Sequence, residues 1–140
     1  MNIFNQPQPL EITIPLPVKT YDIDFAGVVS NLVPVRWLED LRLEMLACHL
    51  PLNELMQTEI APVIVQTKMD YKQSITLFDR PIGKMWVSNL GKVRWTVNAE
   101  ITVHDKVVVL GEQVGIFIDA KTGKPIPLPE KLRQKYYEFI

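Results

Sequence analysis

The sequence predicts an α+β fold in which a mainly antiparallel sheet wraps around one long central helix. One long apolar helical segment lies early in the 140-residue chain. The strand-like segments almost all follow this helix and are joined by tight turns. Because helices and strands are segregated along the chain, the strands are expected to pair mainly antiparallel. The length suits one domain, covering residues 1–140.

The central helix is predicted over residues 32–50. Its apolar side chains recur at a spacing of three and four, and further apolar residues widen this surface beyond a single stripe. Such a pattern is typical of a helix that is buried on most sides. At 1.5 Å per residue the helix is about 25 Å long, enough to cross a small sheet. The stripe consists of Leu38, Leu41, Met45 and Cys48.

Both ends of this helix carry sequence signals. Pro34 is compatible only with the first turn, where a backbone N–H has no partner in any case. Asn31 is therefore the expected N-cap, since a short polar side chain can accept a hydrogen bond from the first turn. Pro51 ends the helix, and residues 52–57 are predicted to add a short second one.

The strands are predicted from alternating apolar side chains. The first, residues 11–19, carries Pro15 and Pro17 on one face, which favours an edge position because proline cannot donate to a ladder. The clearest alternation runs through residues 93–103, and a terminal helix follows Pro129. The four long strands are predicted at residues 61–71, 81–90, 93–103 and 107–119.

The composition excludes several classes of protein. A net charge of −1 argues against a nucleic-acid groove, which needs clustered Lys and Arg. No apolar run approaches the roughly 20 residues that cross a bilayer, and the first ten residues lack the features of a secretory signal. The single cysteine, Cys48, excludes an internal disulfide and is typical of a reducing compartment. We therefore expect a cytoplasmic protein that binds neither nucleic acid nor membrane.

Residues 20–39 are the most informative segment for function. Asp22 and Asp24 end a predicted strand and would point to the same face of an extended chain. Gly27 follows, and then a helix starts whose first backbone N–H groups have no helical partner. A carboxylate can act as a base or nucleophile, and a free amide can stabilise an oxyanion. This combination is what acyl-transfer chemistry requires.

Within this segment, four residues are candidates for the site. Asp24 is the candidate base or nucleophile, and the backbone N–H of Asn31 is the candidate donor to the oxyanion. Gly27 permits a tight turn and a close approach to a ligand, and Ser30 is a minor polar contact. A structural interpretation stands beside each role, because Asp before Gly often shapes a turn and Asn often caps a helix.

Other catalytic and metal-binding arrangements are not indicated. The chain lacks a Gly-x-Ser-x-Gly motif, and no Cys/His spacing indicates a zinc site. Cys48 continues the apolar helix face and is interpreted as a core residue. His49 and His104 lack sequence neighbours that would make a catalytic pair, and Glu39 is interpreted as structural.

Several motifs together resemble one enzyme family. Asp24, Gly27 and Val29 match an Asp-x-x-Gly-x-Val turn. Residues 36–39, Arg-Trp-Leu-Glu, are similar to Arg-Trp-Phe-Glu, and residues 119–129 resemble a closing Asp-x-x-Thr-Gly-x-Pro-x-Pro-x-Pro segment. In this order and spacing, over nearly the whole chain, they resemble the hotdog-fold acyl-CoA thioesterases of the 4-hydroxybenzoyl-CoA thioesterase type.

The resemblance implies a hotdog fold and a hydrolase that cleaves a thioester of coenzyme A or of acyl carrier protein. It implies that Asp24 acts as nucleophile or general base, and that the protein is a homodimer or homotetramer with active sites at the subunit interface. No cofactor is expected, because coenzyme A arrives as part of the substrate. The acyl group stays open and includes 1,4-dihydroxy-2-naphthoate.

The chain also departs from the family pattern at the helix start. Val33 and Pro34 stand where many relatives carry Asn-Tyr, and Ser30 and Asn31 stand where many carry Tyr-His. Apart from hydrolysis, two other functions on this fold remain open, and the departures favour the second of them. One is a hydratase or dehydratase of acyl thioesters, and the other is a non-catalytic protein that binds acyl thioesters.

Overall fold

The computed structural model describes residues 6–140, so residues 1–5 of the predicted domain lie outside the described part. Within it, six strands form one sheet, and three α-helices and a short 3-10 turn accompany them. The strands are β1 (Ile12–Pro15), β2 (Ile60–Tyr71), β3 (Ile82–Leu90), β4 (Trp95–Val103), β5 (Lys106–Asp119) and β6 (Pro125–Ile126). The helices are α1 (Leu32–His49), α2 (Leu52–Gln57) and α3 (Glu130–Phe139).

The sheet is antiparallel throughout and has the order β1-β3-β4-β5-β2, with β6 beside β5. The predicted α+β architecture is therefore confirmed, and β1 lies at an edge, as was predicted from Pro15 and Pro17. This strand ends at Pro15, earlier than predicted. The Leu16 N–H still donates to the Pro81 carbonyl at 2.9 Å, but Pro81 has no N–H to donate back, so the ladder does not continue.

One face of the sheet packs on α1. Leu38, Leu41 and Met45 are buried on the helix, and Met85 and Phe117 are buried beneath them on the sheet. The predicted stripe is confirmed for these three helix residues. A second cluster surrounds the helix start and joins it to β4 and β5; it consists of Leu16, Val29, Val33, Trp37, Ile75, Ile101, Val103, Val108 and Val109.

The opposite side of α1 is exposed, so the prediction that the helix is buried on most sides is wrong for this structure. Leu43, Ala47 and Cys48 are exposed, because the sheet covers only one stripe of the cylinder. The interpretation of Cys48 as a core residue is likewise wrong: its Sγ lies 3.7 Å from Glu44 Oε1 at the surface. No helix within residues 6–140 is both long and apolar enough to pass through a bilayer.

Candidate active site

A tight loop carries Asp24 to the start of α1. Ile23 and Val29 form an isolated antiparallel bridge, and inside it the Asp24 N–H donates to the Val28 carbonyl at 2.8 Å. The Gly27 N–H donates back to the Asp24 carbonyl at 3.0 Å. Gly27 has a φ of +82°, a conformation that glycine adopts without a steric penalty. The glycine is thus needed for the turn, as predicted.

The Asp24 side chain is half-buried and helps to shape this loop. Its Oδ1 accepts a hydrogen bond from the Ala26 N–H at 2.8 Å. Its Oδ2 has no hydrogen-bond partner among the described residues. The carboxylate therefore shapes the turn, as the structural interpretation of Asp24 predicted, and its second oxygen stays available.

Asp22 is the more buried of the two carboxylates, with 7% of its surface exposed. Its Oδ2 accepts the Lys19 N–H at 2.8 Å, and its backbone carbonyl accepts the Ser30 N–H at 2.9 Å. The expectation that Asp22 and Asp24 project from one extended strand is wrong, because a 3-10 turn, Thr20–Asp22, precedes the loop. Asp22 holds the loop against the helix start.

Asn31 occupies the N-cap position of α1, but its side chain does not cap the helix. Its backbone is helical, with φ −61° and ψ −17°, whereas a capping side chain normally needs an extended backbone. Ser30 acts instead: its Oγ accepts the Leu32 N–H at 3.3 Å. The Asn31 carbonyl accepts a hydrogen bond from the Tyr71 hydroxyl at 2.6 Å.

The Asn31 N–H has no acceptor within residues 6–140. Asn31 lines a cleft of about 280 Å³ between the Asp24 loop, the helix start and the end of β2. Asp24 is not among the residues that line this cleft, but its N–H donates to the carbonyl of Val28, which is part of the wall. The lining residues are Val28, Val29, Asn31, Pro34, Tyr71, Lys72, Gln73, Ser74, Ile75 and Val109.

The four predicted site residues are thus brought together in one short segment but differ in placement. Asn31 lines the cleft, and Asp24 is hydrogen-bonded through its N–H to Val28, which also lines it. Ser30 stabilises the helix start, and Gly27 is exposed in the loop. Tyr71, which sequence reasoning named only among several aromatic candidates for an acyl pocket, is the residue whose role was missed. Its position at the end of a strand gave no signal of a contact with the helix.

A second groove lies between α1 and β2 and has a volume of about 410 Å³. Arg42 and Glu39 stand at its polar part, and burial lowers the Arg42 pKa while Glu39 acts in the opposite direction. Trp95 also lines the groove, and its buried Nε1 has no hydrogen-bond partner in the described residues. The apolar walls are Leu43, Leu46, Leu52, Met56, Ala61, Pro62, Ile64 and Trp95.

The histidines lie away from the cleft. His104 is exposed in the turn between β4 and β5. His49 lies at the end of α1, where Lys135 Nζ approaches its Nδ1 to 3.3 Å. Burial, with help from Lys135 and Lys131, lowers the pKa of His49. Over residues 6–140, His, Cys, Asp and Glu do not gather into a group of three that could hold a metal ion.

A sequence profile decides the family to which these features belong. The profile of the thioesterase-like superfamily matches residues 18–136, which include the Asp24 loop, the helix and the whole β2–β5 sheet. The chain belongs to the thioesterase-like superfamily. Its family and fold are those of thioester hydrolases, as the motifs predicted. No curated protein sequence matches the chain.

Solved structures agree with the fold of this thioesterase-like protein. DHNA-CoA thioesterase from Staphylococcus aureus has a TM-score of 0.84 at 19% identity, over 92% of this chain and 90% of that one. A 1,4-dihydroxy-2-naphthoyl-CoA thioesterase from Synechocystis has a TM-score of 0.81 at 19% identity, over 91% and 96%. The S. aureus protein SAV2348, solved in complex with CoA, has a TM-score of 0.85 at 16% identity, over 96% and 88%.

These likenesses confirm the predicted hotdog fold, with its antiparallel sheet around one long helix. The narrower prediction of a 4-hydroxybenzoyl-CoA thioesterase type is not confirmed, because the similar structures include enzymes named for other aromatic acyl groups.

Proposed function

We propose that this protein hydrolyses an acyl-CoA thioester to a free acid and coenzyme A. The observation that carries the proposal is the Asn31 N–H, which has no acceptor in the described chain and belongs to a residue lining a cleft. The loop that carries Asp24 forms one wall of this cleft. A carboxylate on the loop that forms this wall, together with a free helix-start amide in the lining, suits thioester hydrolysis.

In the proposed reaction, the thioester carbonyl lies in the cleft with its oxygen facing the Asn31 N–H. Asp24 Oδ2 either removes a proton from an attacking water or attacks the carbonyl carbon itself. The carbonyl oxygen becomes negatively charged in the tetrahedral intermediate, and the Asn31 N–H stabilises it. The C–S bond then breaks. In the general-base case the thiolate takes the proton from Asp24, and in the nucleophilic case water hydrolyses an acyl-aspartate.

Ser30 and Gly27 support this arrangement in the proposal. Gly27 has no side chain to block the approach of substrate to the loop. A Cβ built on it would meet no atom within 4 Å, so the space beside the loop is open. The Ser30 hydroxyl, already bonded to the Leu32 N–H, lies one residue before Asn31. We assign both to substrate contact rather than to chemistry.

The proposed acyl group is aromatic or otherwise apolar. The second groove offers apolar walls and begins at Glu39, about 12 Å along α1 from Asn31. Similar structures are named for 1,4-dihydroxy-2-naphthoyl-CoA and gentisyl-CoA, which makes these two esters the first to test. The CoA-bound structure from S. aureus supports coenzyme A rather than acyl carrier protein as the carrier.

We further propose that the active form is a homodimer, or a tetramer built from dimers. The two sheet edges differ: β1 has four residues and ends in Pro15, whereas β2 has twelve. An edge of that length presents many unpaired N–H and C=O groups and invites another strand. Pairing of β2 between two copies would place the exposed face of α1, with Leu43, near the partner.

A non-catalytic acyl-thioester-binding protein is the second candidate. Two observations favour it: Asp24 Oδ1 is already bonded to the Ala26 N–H, and the apolar Pro34 lines the cleft where many relatives carry a polar tyrosine. This alternative predicts binding of acyl-CoA without release of thiol.

A panel of thioesters separates the two candidates. Acyl-CoA and acyl-carrier-protein substrates with short, long and aromatic acyl groups are incubated with the protein and a thiol-reactive dye. We expect thiol release with at least one aromatic or long-chain acyl-CoA. Saturable binding with thiol release at the background rate for every substrate would overturn the proposal in favour of the binding protein. An enoyl-CoA that gains water without releasing thiol would instead indicate a hydratase.

A further inference from the structure

Tyr71 joins the end of the edge strand β2 to the first residue before α1. It is the last residue of β2, and its side chain lines the cleft with 40% of the residue exposed. The hydroxyl donates to the Asn31 carbonyl at 2.6 Å, across 40 positions of sequence. Partial burial raises the pKa of the phenol, so the hydroxyl keeps its proton and remains a donor at neutral pH.

This hydrogen bond acts on the residue that carries the free amide. The carbonyl of an N-cap residue ordinarily accepts the first helical hydrogen bond, and Tyr71 supplies a second donor from the sheet. On the other side, the Ser30 N–H is fixed by the Asp22 carbonyl at 2.9 Å. The backbone of Ser30 and Asn31 is therefore held from both sides, while the Asn31 N–H between these two bonds is left without an acceptor.

Within residues 6–140, the Asn31 side chain makes no hydrogen bond that would restrain it. Its side chain does not cap the helix and is exposed. The first turn of a helix is where backbone order is most easily lost. The Tyr71 hydroxyl is thus the contact that links Asn31 directly to the rigid sheet.

We infer that Tyr71 is a positioning residue for thioester hydrolysis, whose hydroxyl holds the Asn31 N–H in line with the developing oxyanion. This inference rests on the proposed function. Stabilisation of an oxyanion depends on donors that are already in place before the reaction, and small displacements of such groups are costly. Tyr71 touches neither reacting atom in this role.

The test compares Tyr71→Phe, which removes only the hydroxyl, with Tyr137→Phe on the exposed surface of α3. We expect kcat of Tyr71→Phe to fall about tenfold while KM stays within about twofold. We expect the thermal midpoint to stay close to that of the wild type. The Asn31 amide, followed by nuclear magnetic resonance, should shift and exchange its hydrogen faster. Tyr137→Phe should match the wild type in all four measurements.

The outcomes distinguish this inference from the proposed function. An active wild type with unchanged kcat in Tyr71→Phe overturns the positioning role and leaves hydrolysis standing. A loss confined to KM, or a fall in kcat without a change at the Asn31 amide, also overturns it, because Tyr71 would then contact substrate directly. A wild type that hydrolyses no thioester would overturn both the proposed function and the positioning role of Tyr71.

Discussion

One oxygen of the Asp24 carboxylate stabilises the loop, and the other is available for the proposed chemistry. Oδ1 closes a turn onto the Ala26 N–H, and this bond fixes the direction of Oδ2. Asn31 shows a similar division, because its carbonyl is anchored by Tyr71 and its N–H has no acceptor in the described chain. In each of these two residues, one polar group is hydrogen-bonded within the fold, and a second polar group is available to a substrate.

The Asn31 N–H can be removed without losing a hydrogen bond of the described fold. Proline lacks this N–H and fixes φ near −65°, and Asn31 already has a φ of −61°. We expect Asn31→Pro to lower kcat by about 100-fold or more, because one oxyanion donor is lost. Asn31→Ala keeps the N–H and should stay close to the wild type in kcat. Equal activity of the two variants, both with a wild-type thermal midpoint, would exclude this amide as the oxyanion donor.

His49 makes the stability of the protein depend on pH. Its pKa in the folded state is lowered by burial, Lys135 and Lys131, so below the ordinary value of about 6.5 the unfolded chain binds a proton that the folded chain does not. The free energy of unfolding therefore falls as pH drops through about 6.5 towards the lowered pKa. In urea unfolding, His49→Gln should show a smaller drop between neutral and mildly acidic pH than the wild type. His104→Gln should keep the full drop, and an equal drop in His49→Gln would contradict the assignment.

At the scale of elements, a polar chain of side chains connects α1 to two strands. Arg42 Nη1 donates to Gln113 Oε1, and Gln113 Nε2 donates to Thr67 Oγ1 at 3.0 Å. Gln113 is buried on β5, and Thr67 lies on the edge strand β2. These two hydrogen bonds cross the helix–sheet boundary beside the apolar groove, which Arg42 lines.

Replacing the middle member of this chain should be costly. Gln113→Ala leaves a half-buried guanidinium without its acceptor, and we expect the free energy of unfolding to fall by about 2–3 kcal/mol. Thr67→Ala removes only the outer, more exposed bond and should cost about 1 kcal/mol or less. Urea unfolding of both variants measures the difference. A Gln113→Ala variant no less stable than Thr67→Ala would show that the chain contributes little.

At the scale of the whole molecule, the proposed dimer follows from the unequal sheet edges. Val65 lies at the bulge of β2, where the register with β5 shifts, and it is exposed. We expect Val65→Glu to convert the proposed dimer to a monomer in sedimentation and to reduce thioester hydrolysis, since a charge on an edge strand disfavours its pairing with another strand. Val93→Glu, in the turn between β3 and β4, should remain dimeric. A wild type that is monomeric and fully active would contradict the proposal.

The sequence was sufficient for the order of elements because apolar periodicity is a local signal. Alternation predicted the four long strands. Pro34 and Pro51 led to a predicted α1 over residues 32–50, which agrees with the observed Leu32–His49 to within one residue at each end. The two-residue strand β6 was missed, because Pro125 and Ile126 are too few to show a period and pair only through their contact with β5. The exposure of Cys48 was missed because periodicity does not reveal how much of a helix one sheet covers.

The candidate site was predictable only as far as its local chemistry. The spacing of Asp24, Gly27 and the helix start indicated a carboxylate near a free amide. Ser30 caps the helix because Asn31 has helical backbone angles, and the residue type at position 31 does not determine those angles. The Tyr71 contact joins positions 40 residues apart, and a single sequence carries no signal of such a pair.

The central claim is that Asp24 acts on a thioester whose oxygen lies at the Asn31 N–H. The most direct measurement is kcat for the best acyl-CoA with wild type, Asp24→Asn and Asp105→Asn. Asp105 is exposed in the turn between β4 and β5 with a φ of +63°, a conformation that asparagine tolerates. The account predicts that Asp24→Asn loses about 100-fold or more in kcat, while Asp105→Asn is unaffected. An Asp24→Asn variant that releases thiol at the wild-type rate would contradict it.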